Sequence, residues 1–399
     1  MLIWIGALTV GIILGLLQTG WIDDAMNFVT TVYVRLFQLL AVPTIVLAVT
    51  TTLASLGKGS GAGRIFRHTI SYTLLTTTVS AAVGLLLFVS IDPGTLPLTS
   101  HLSPLTSNHS PLTSNHSPLT YTDHLLSVVP NNIVKPFLDG NVLSLLLLAF
   151  AAGLGLSRMP QSDNKTTVLR FLAGLQELLF LLIRGLIWTL PVGIVAFAAQ
   201  LSSQLSAGTV ADSLGRYVAV VLGGNLLQFF VVLPIFLLLR GINPLRTLSA
   251  MMPAVLMALF TKSSAATLPV TMESAEQRQG VSPKVARFVL PICTTINMNG
   301  CAAFILVTSL FVMQQGGTPL TWDTMLLWLA ISVLSAIGNA GVPMGCYFLT
   351  LSLMSGIGAP VAVMGIILPV YTVIDMVETA VNVWSDSCVA TMVDHDIKK

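Results

Sequence analysis

The first 240 residues are a succession of long apolar runs, Leu2–Gly20 and Tyr217–Leu239 among them, separated by short polar breaks. At about 1.5 Å of rise per residue, such runs cross the roughly 30 Å hydrocarbon core of a bilayer as helices. Six spans are predicted, at about 2–20, 28–56, 67–92, 130–156, 168–199 and 213–240. The second and fifth exceed what a bilayer requires, which predicts tilting or kinking. Beyond residue 240 the pattern changes, and Gly, Pro, Ser, Thr and Asn interrupt the apolar stretches at their centres.

Two of these interrupted stretches read as re-entrant hairpins. Pro253–Phe260 is apolar and gives way to the small, polar run Thr261–Pro269. Leu326–Ser335 is apolar, Gly338–Gly345 breaks the helix, and an apolar arm resumes at Cys346. Each arm is too short to span. Non-helical backbone at membrane depth survives only where protein or a water-filled cavity covers it. Its free N–H groups then suit a carboxylate and its free carbonyls a cation. Two ordinary helices kinked by Gly and Pro are the plainer alternative.

A helix bearing polar groups follows each hairpin. The first, Pro291–Gln314, is broken at Asn297-Met298-Asn299-Gly300. The second, about Val361–Val393, carries Asp375, Glu378, Thr379, Asn382 and Asp386. At about 100° per residue, Asp375, Thr379, Asn382 and Asp386 fall within about 60° of one face, with Glu378 at its edge. Carboxylates on a membrane helix are costly and belong in a site rather than in lipid. Such groups can hold an ammonium, and with amide and backbone oxygens they suit a hard cation.

Composition supports a lipid environment. Of 399 residues 54% are hydrophobic and 9% charged, and mean hydropathy is +0.87. A soluble domain carries about 25% charge. The net charge of +2 argues against nucleic acid as a partner. Lys and Arg gather after the second, fourth and sixth spans, at Lys58, Arg64 and Arg67, at Arg158, Lys165 and Arg170, and at Arg240 and Arg246. By the positive-inside rule both termini are cytoplasmic. Leu2–Gly20 lacks a basic leader and a small-residue cleavage site, and reads as a retained span. Cys293, Cys301, Cys346 and Cys388 lie in apolar contexts without CxxC spacing, and read as small buried hydrophobes rather than a disulfide or metal framework. In the outer connection at 94–128 the heptad SPLTSNH repeats, carrying His109 and His116 between His101 and His124. It reads as a spacer more readily than as a zinc site. No HExxH or GxSxG motif is present, and Ser264 has no histidine at a plausible depth, so the chain reads as a non-enzyme.

Lys262–Pro269, Asn297-Met298-Asn299-Gly300-Cys301, Ala340–Pro343 and Asp375…Thr379…Asn382…Asp386 together resemble the signatures of the sodium:dicarboxylate, glutamate-transporter-like symporter family. Thr76, Thr77 and Pro130–Val134 add weaker matches. The resemblance implies an all-α membrane protein with eight transmembrane helices, two re-entrant helical hairpins and inverted repeats. It also implies a homotrimer whose transport domain slides as an elevator, in a bacterial inner membrane. Residues 1–240 would supply scaffold and parts of the transport domain. Residues 241–399 would form its core, with hairpin 1 at about 245–275, helix 7 at about 283–314, hairpin 2 at about 322–356 and helix 8 at about 360–393. By resemblance, Asp375 binds a substrate ammonium, and Ser263, Ser264, Gly341, Val342, Thr379 and Asn382 line the substrate site. Asp386, Asn382 and backbone near Cys293 hold one sodium. Carbonyls near Thr295, Ala336, Ile337 and Asn339 hold a second, and Thr76, Thr77, Asn297 and Asn299 resemble a third cation site.

Two departures shape the expected chemistry. Glu378 stands where members with acidic substrates place an arginine, and a glutamate there repels a side-chain carboxylate. The stretch resembles the serine/threonine:sodium symporter branch, so a small neutral amino acid is expected, with a cationic one as an alternative. Asn299 replaces an aspartate, which weakens the third site and lowers the expected sodium stoichiometry. A proton-coupled or dicarboxylate carrier is the rival within the class, and an ion channel the rival outside it.

Overall fold

The computed structural model describes residues 2–17, 20–55, 63–96, 129–139, 142–205, 209–337, 339, 341 and 343–398. The histidine-bearing repeat and Val342 lie outside the described residues. The described regular structure is helical throughout: α1 Leu2–Leu16, α2 Gly20–Ser55, α3 Gly63–Ile91, α4 Lys135–Asp139, α5 Val142–Arg158, α6 Asp163–Leu205 and α7 Thr209–Leu227. A π-turn at Gln228–Val232 passes α7 into α8 Leu233–Leu239. There follow α9 Pro244–Thr261, α10 Ser264–Glu273, α11 Pro283–Ile296, α12 Asn299–Gln315, α13 Trp322–Ala336, α14 Gly345–Gly356 and α15 Ala362–Lys398.

Six helical stretches among the described residues are long and apolar enough to cross a membrane. The protein is a multi-pass membrane protein. The two overlong spans, α2 and α6, contain Pro43 and Pro191. Each proline removes a backbone donor from its helix, the commonest cause of a kink. Lys165, buried near the start of α6, donates its ammonium to the carbonyls of Ser157 at 3.2 Å and Met159 at 2.6 Å. It thereby satisfies orphan carbonyls at the end of α5.

The helices pack in two groups. In the first, α1 and α2 lie against α6, and α2 also against α5. In the second, α3, α13, α14 and α15 surround α12, which is buried from Asn299 to Met313. The pairs α9–α10 and α11–α12 both lie on α15. Glycines allow the close approaches. A Cβ on Gly300 would stand 2.9 Å from the Glu378 carbonyl, so the start of α12 presses directly on the backbone of α15. Such contacts supply the van der Waals packing that hydrophobic force cannot supply inside lipid.

The cysteines require a correction. Cys301, in the first turn of α12, and Cys346, in the first turn of α14, form a disulfide across 45 residues of sequence. Cys293 and Cys388 are buried free thiols, as apolar context predicts.

Candidate functional site

Three helix breaks converge on the polar face of α15. At the first, α9 ends at Thr261 and Lys262 turns the chain with φ +55°. Ser263 then caps α10, its hydroxyl accepting from the Ala266 N–H at 3.2 Å and donating to the Gly341 carbonyl at 3.0 Å. One hydroxyl, both donor and acceptor, ties the first break to the second. Ser264 is buried at the first position of α10. The Ala265 N–H lies 3.5 Å from the same Gly341 carbonyl.

At the second break, the Asn339 N–H donates to the Ala336 carbonyl at 3.1 Å, closing the end of α13. Gly341 has φ +64°, and a Cβ there would stand 2.9 Å from the Thr294 carbonyl. Only glycine meets both demands without strain. Met344, also left-handed at φ +61°, precedes α14 and donates its N–H to Asp375 Oδ2 at 3.2 Å. A carboxylate at a helix N-terminus satisfies an orphan donor and complements the helix dipole.

The third break separates α11 from α12 at Asn297 and Met298. Asn297 Nδ2 donates to Asp386 Oδ1 and to Ser385 Oγ, both at 2.9 Å. Thr76 Oγ1 lies 3.2 Å from Asn297 Oδ1 and also donates to the Tyr72 carbonyl at 2.9 Å. Asn299 Nδ2 donates to Asn297 Oδ1 at 3.2 Å and to Ser385 Oγ. Ser80 donates to the Asn299 carbonyl at 2.8 Å. Thr77 Oγ1 and Asn299 Oδ1 are buried without a hydrogen-bond partner. The unpartnered Asn299 oxygen belongs to a network that reaches the Asp386 carboxylate through Asn297, and oxygen donors of this kind are those a hard cation takes.

Along α15, Asp375, Glu378, Thr379, Asn382 and Asp386 are all buried, Glu378 to 1% exposure. Tyr371 bridges two of them, its hydroxyl 3.4 Å from Asp375 Oδ1 and 3.2 Å from Glu378 Oε2. Glu378 Oε1 has no partner. Thr379 Oγ1 donates to the Asp375 carbonyl at 2.7 Å, back into its own helix. Asn382 Oδ1 accepts the Gly300 N–H at 2.9 Å, and its Nδ2 points at Cys301 Sγ at 3.3 Å. Asn339 Nδ2 stands 3.0 Å from the sulfurs of both Cys301 and Cys346.

The expected residues therefore divide. Asp375, Gly341 and Ser263 meet at the two tips, while Asn382, Asp386, Asn297, Asn299 and Thr76 meet at the third break. Thr295 turns its hydroxyl to the Ile292 carbonyl, and Ala336 and Ile337 offer only backbone. Cys293 faces Thr73 across 3.9 Å. Sequence reasoning passed over Tyr371, Ser385 and Ser80. Tyr371 lies four residues before Asp375 and seven before Glu378, a helical spacing that would have found it.

The profile of the sodium:dicarboxylate symporter family matches residues 1–396. The chain belongs to that family. Members are symporters rather than enzymes. Among the relatives, neutral amino acid transporter B(0) of Oryctolagus cuniculus is 26% identical, covering 94% of this chain and 74% of its own. Excitatory amino acid transporter 3 of Mus musculus is 26% identical over 99% of this chain and 85% of its own. Neutral amino acid transporter A of Homo sapiens is 31% identical over 64% of this chain and 48% of its own.

Proposed function

We propose that the protein is a sodium-driven symporter of a small neutral amino acid such as serine or threonine, working as an elevator within a homotrimer. The observation that carries the reading is the position of the α15 carboxylates. Asp375 accepts from the tip before α14, and Asp386 accepts from the break between α11 and α12. A zwitterion has an ammonium for Asp375 and a carboxylate for the backbone donors at the start of α10 and α14. Glu378, rather than a guanidinium, lies beside that space and disfavours a second carboxylate on the substrate. The relatives include transporters of neutral amino acids, which supports the same choice.

Sodium is the proposed coupling ion. Asp386, Asn382 and backbone near Cys293 are assigned one ion, and carbonyls near Thr295, Ala336, Ile337 and Asn339 a second. Thr76, Thr77, Asn297 and Asn299 are assigned a third, weak site, since Asn299 is neutral. Ser264, Val342 and Thr379 complete the proposed substrate lining. Residues 241–399 form the proposed moving core, in a bacterial inner membrane with both termini cytoplasmic.

Uptake of radiolabelled amino acids into proteoliposomes by the dithiol-reduced, chelator-treated protein, with sodium and pH gradients set separately, tests the reading. Serine uptake is expected to follow the sodium gradient alone. Uptake of aspartate and of no neutral amino acid, or serine uptake indifferent to sodium, would overturn it.

A further inference from the structure

The two sulfurs of the Cys301–Cys346 disulfide do not stand alone. They and a carboxylate oxygen of Glu378 lie within 4.8 Å of one another, all three residues buried. Glu378 Oε1 has no hydrogen-bond partner, and neither has Asn339 Oδ1, although the Asn339 amide nitrogen sits 3.0 Å from each sulfur. A buried carboxylate oxygen without a donor is costly unless a cation meets it. A substrate ammonium would also satisfy that oxygen; in the reduced protein two thiols stand beside it as well. Two thiolates and a carboxylate, with an amide oxygen brought in by a half-turn of Asn339, make a four-ligand set suited to a thiophilic d10 ion.

We propose that Cys301, Cys346 and Glu378 form, once the disulfide is reduced, a binding site for one thiophilic divalent cation such as Zn2+. The bound ion joins the start of α14 to the start of α12 and holds the second break against α15. A disulfide sulfur offers no thiolate, so the site exists only in the reduced protein. Reduction by a dithiol exchanges the bond: the protein disulfide takes two electrons and two protons and becomes two thiols, and the dithiol becomes a cyclic disulfide. Binding then replaces the two thiol protons with the metal and releases them to solvent. The effect on transport rests on the symporter reading: the disulfide and the bound ion each fix α14 to α12, so the tip that covers Asp375 parts from it only in the reduced, metal-free protein, and adding the ion to that form stops solute exchange.

The test is a titration of purified, detergent-solubilised protein with Cd2+. The protein is first reduced with a dithiol and desalted without air. Metal–thiolate charge-transfer absorption in the ultraviolet reports sulfur coordination. One Cd2+ per chain is expected, displaced by Zn2+, with no band after reoxidation by a small-molecule disulfide. Cys301→Ser and Cys346→Ser should each abolish the band. Glu378→Gln should keep it but bind roughly tenfold or more weakly, as loss of a ligating carboxylate requires. Monodisperse elution and unchanged far-ultraviolet helicity confirm that each variant is folded. No band in the reduced protein, or undiminished Cd2+ binding in the Cys301→Ser/Cys346→Ser double variant, overturns the site. So does an unchanged affinity in Glu378→Gln. Sodium-driven serine uptake by the reduced protein should stop when Zn2+ is added and return with a chelator. Uptake that continues with the site filled overturns the clamping role. A protein that binds Cd2+ through sulfur and never transports serine refutes the symporter reading and leaves the site standing.

Discussion

The hydroxyl of Ser263 donates to the carbonyl of Gly341 at 3.0 Å, so two breaks in the chain 78 residues apart share one hydrogen bond. The same oxygen caps α10 through the Ala266 N–H. Ser263→Ala therefore removes a cap and a tip-to-tip bond together. It is expected to cost about 1–2 kcal/mol, the usual range for a lost N-cap. Thermal unfolding of the detergent-solubilised protein measures it, and Ser263→Thr, which keeps the hydroxyl, should restore most of the loss.

Gly341→Ala should be worse tolerated than its size suggests. The position combines φ +64° with a Cβ 2.9 Å from the Thr294 carbonyl. Left-handed strain alone costs about 1 kcal/mol or more in a non-glycine residue, and backbone rather than a flexible side chain must yield. A lowered melting temperature with reduced serine uptake is expected. A melting temperature equal to that of the unsubstituted protein would contradict the geometry.

Asp386→Asn keeps an acceptor for Asn297 Nδ2 while removing the charge buried beside it. If the carboxylate helps hold sodium, the sodium concentration giving half-maximal serine uptake rises roughly tenfold or more, as expected when a metal loses a charged ligand. Sodium titration of uptake and of thermal stabilisation should agree. An unshifted titration would remove Asp386 from the ion site.

Glu378→Arg exchanges the charge beside Asp375 and puts a guanidinium within reach of an acidic side chain. The expected outcome is a preference shifted toward aspartate or glutamate, read from competition against radiolabelled serine. Glu378→Gln should relax discrimination without reversing it, because it removes repulsion and adds no fork for a carboxylate.

Gly300→Ala probes the contact that sets α12 against α15. Its Cβ would meet Asn225 Oδ1 at 2.7 Å and the Glu378 backbone at 2.9 Å. Overpacking of this kind costs about 1–3 kcal/mol. Both stability and serine affinity should fall, since Asn382 is oriented by the Gly300 N–H.

The helical membrane class was legible because period and length alone distinguish lipid-crossing helices. The face shared by Asp375, Thr379, Asn382 and Asp386 was legible because it is local to one helix. The pairing of Cys301 with Cys346 was not. No local spacing encodes it, and it depends on how the starts of α12 and α14 approach in space. Ser80 was missed for the same reason: its partner is a backbone carbonyl 219 residues away. Val342 and the histidine repeat fall outside the described residues, and their expected roles rest on sequence alone.

The widened turn at Gln228–Val232 has a mechanical consequence. Its Phe229 carbonyl accepts the indole N–H of Trp384 at 3.1 Å. A regular α-turn would have spent that carbonyl on its own helix. Instead it pins the middle of the Thr209–Leu239 segment to a fixed height on α15, like a pawl in a rack. Slipping either helix along the other surrenders that bond, a penalty of about 1 kcal/mol that favours the two helices keeping their relative height.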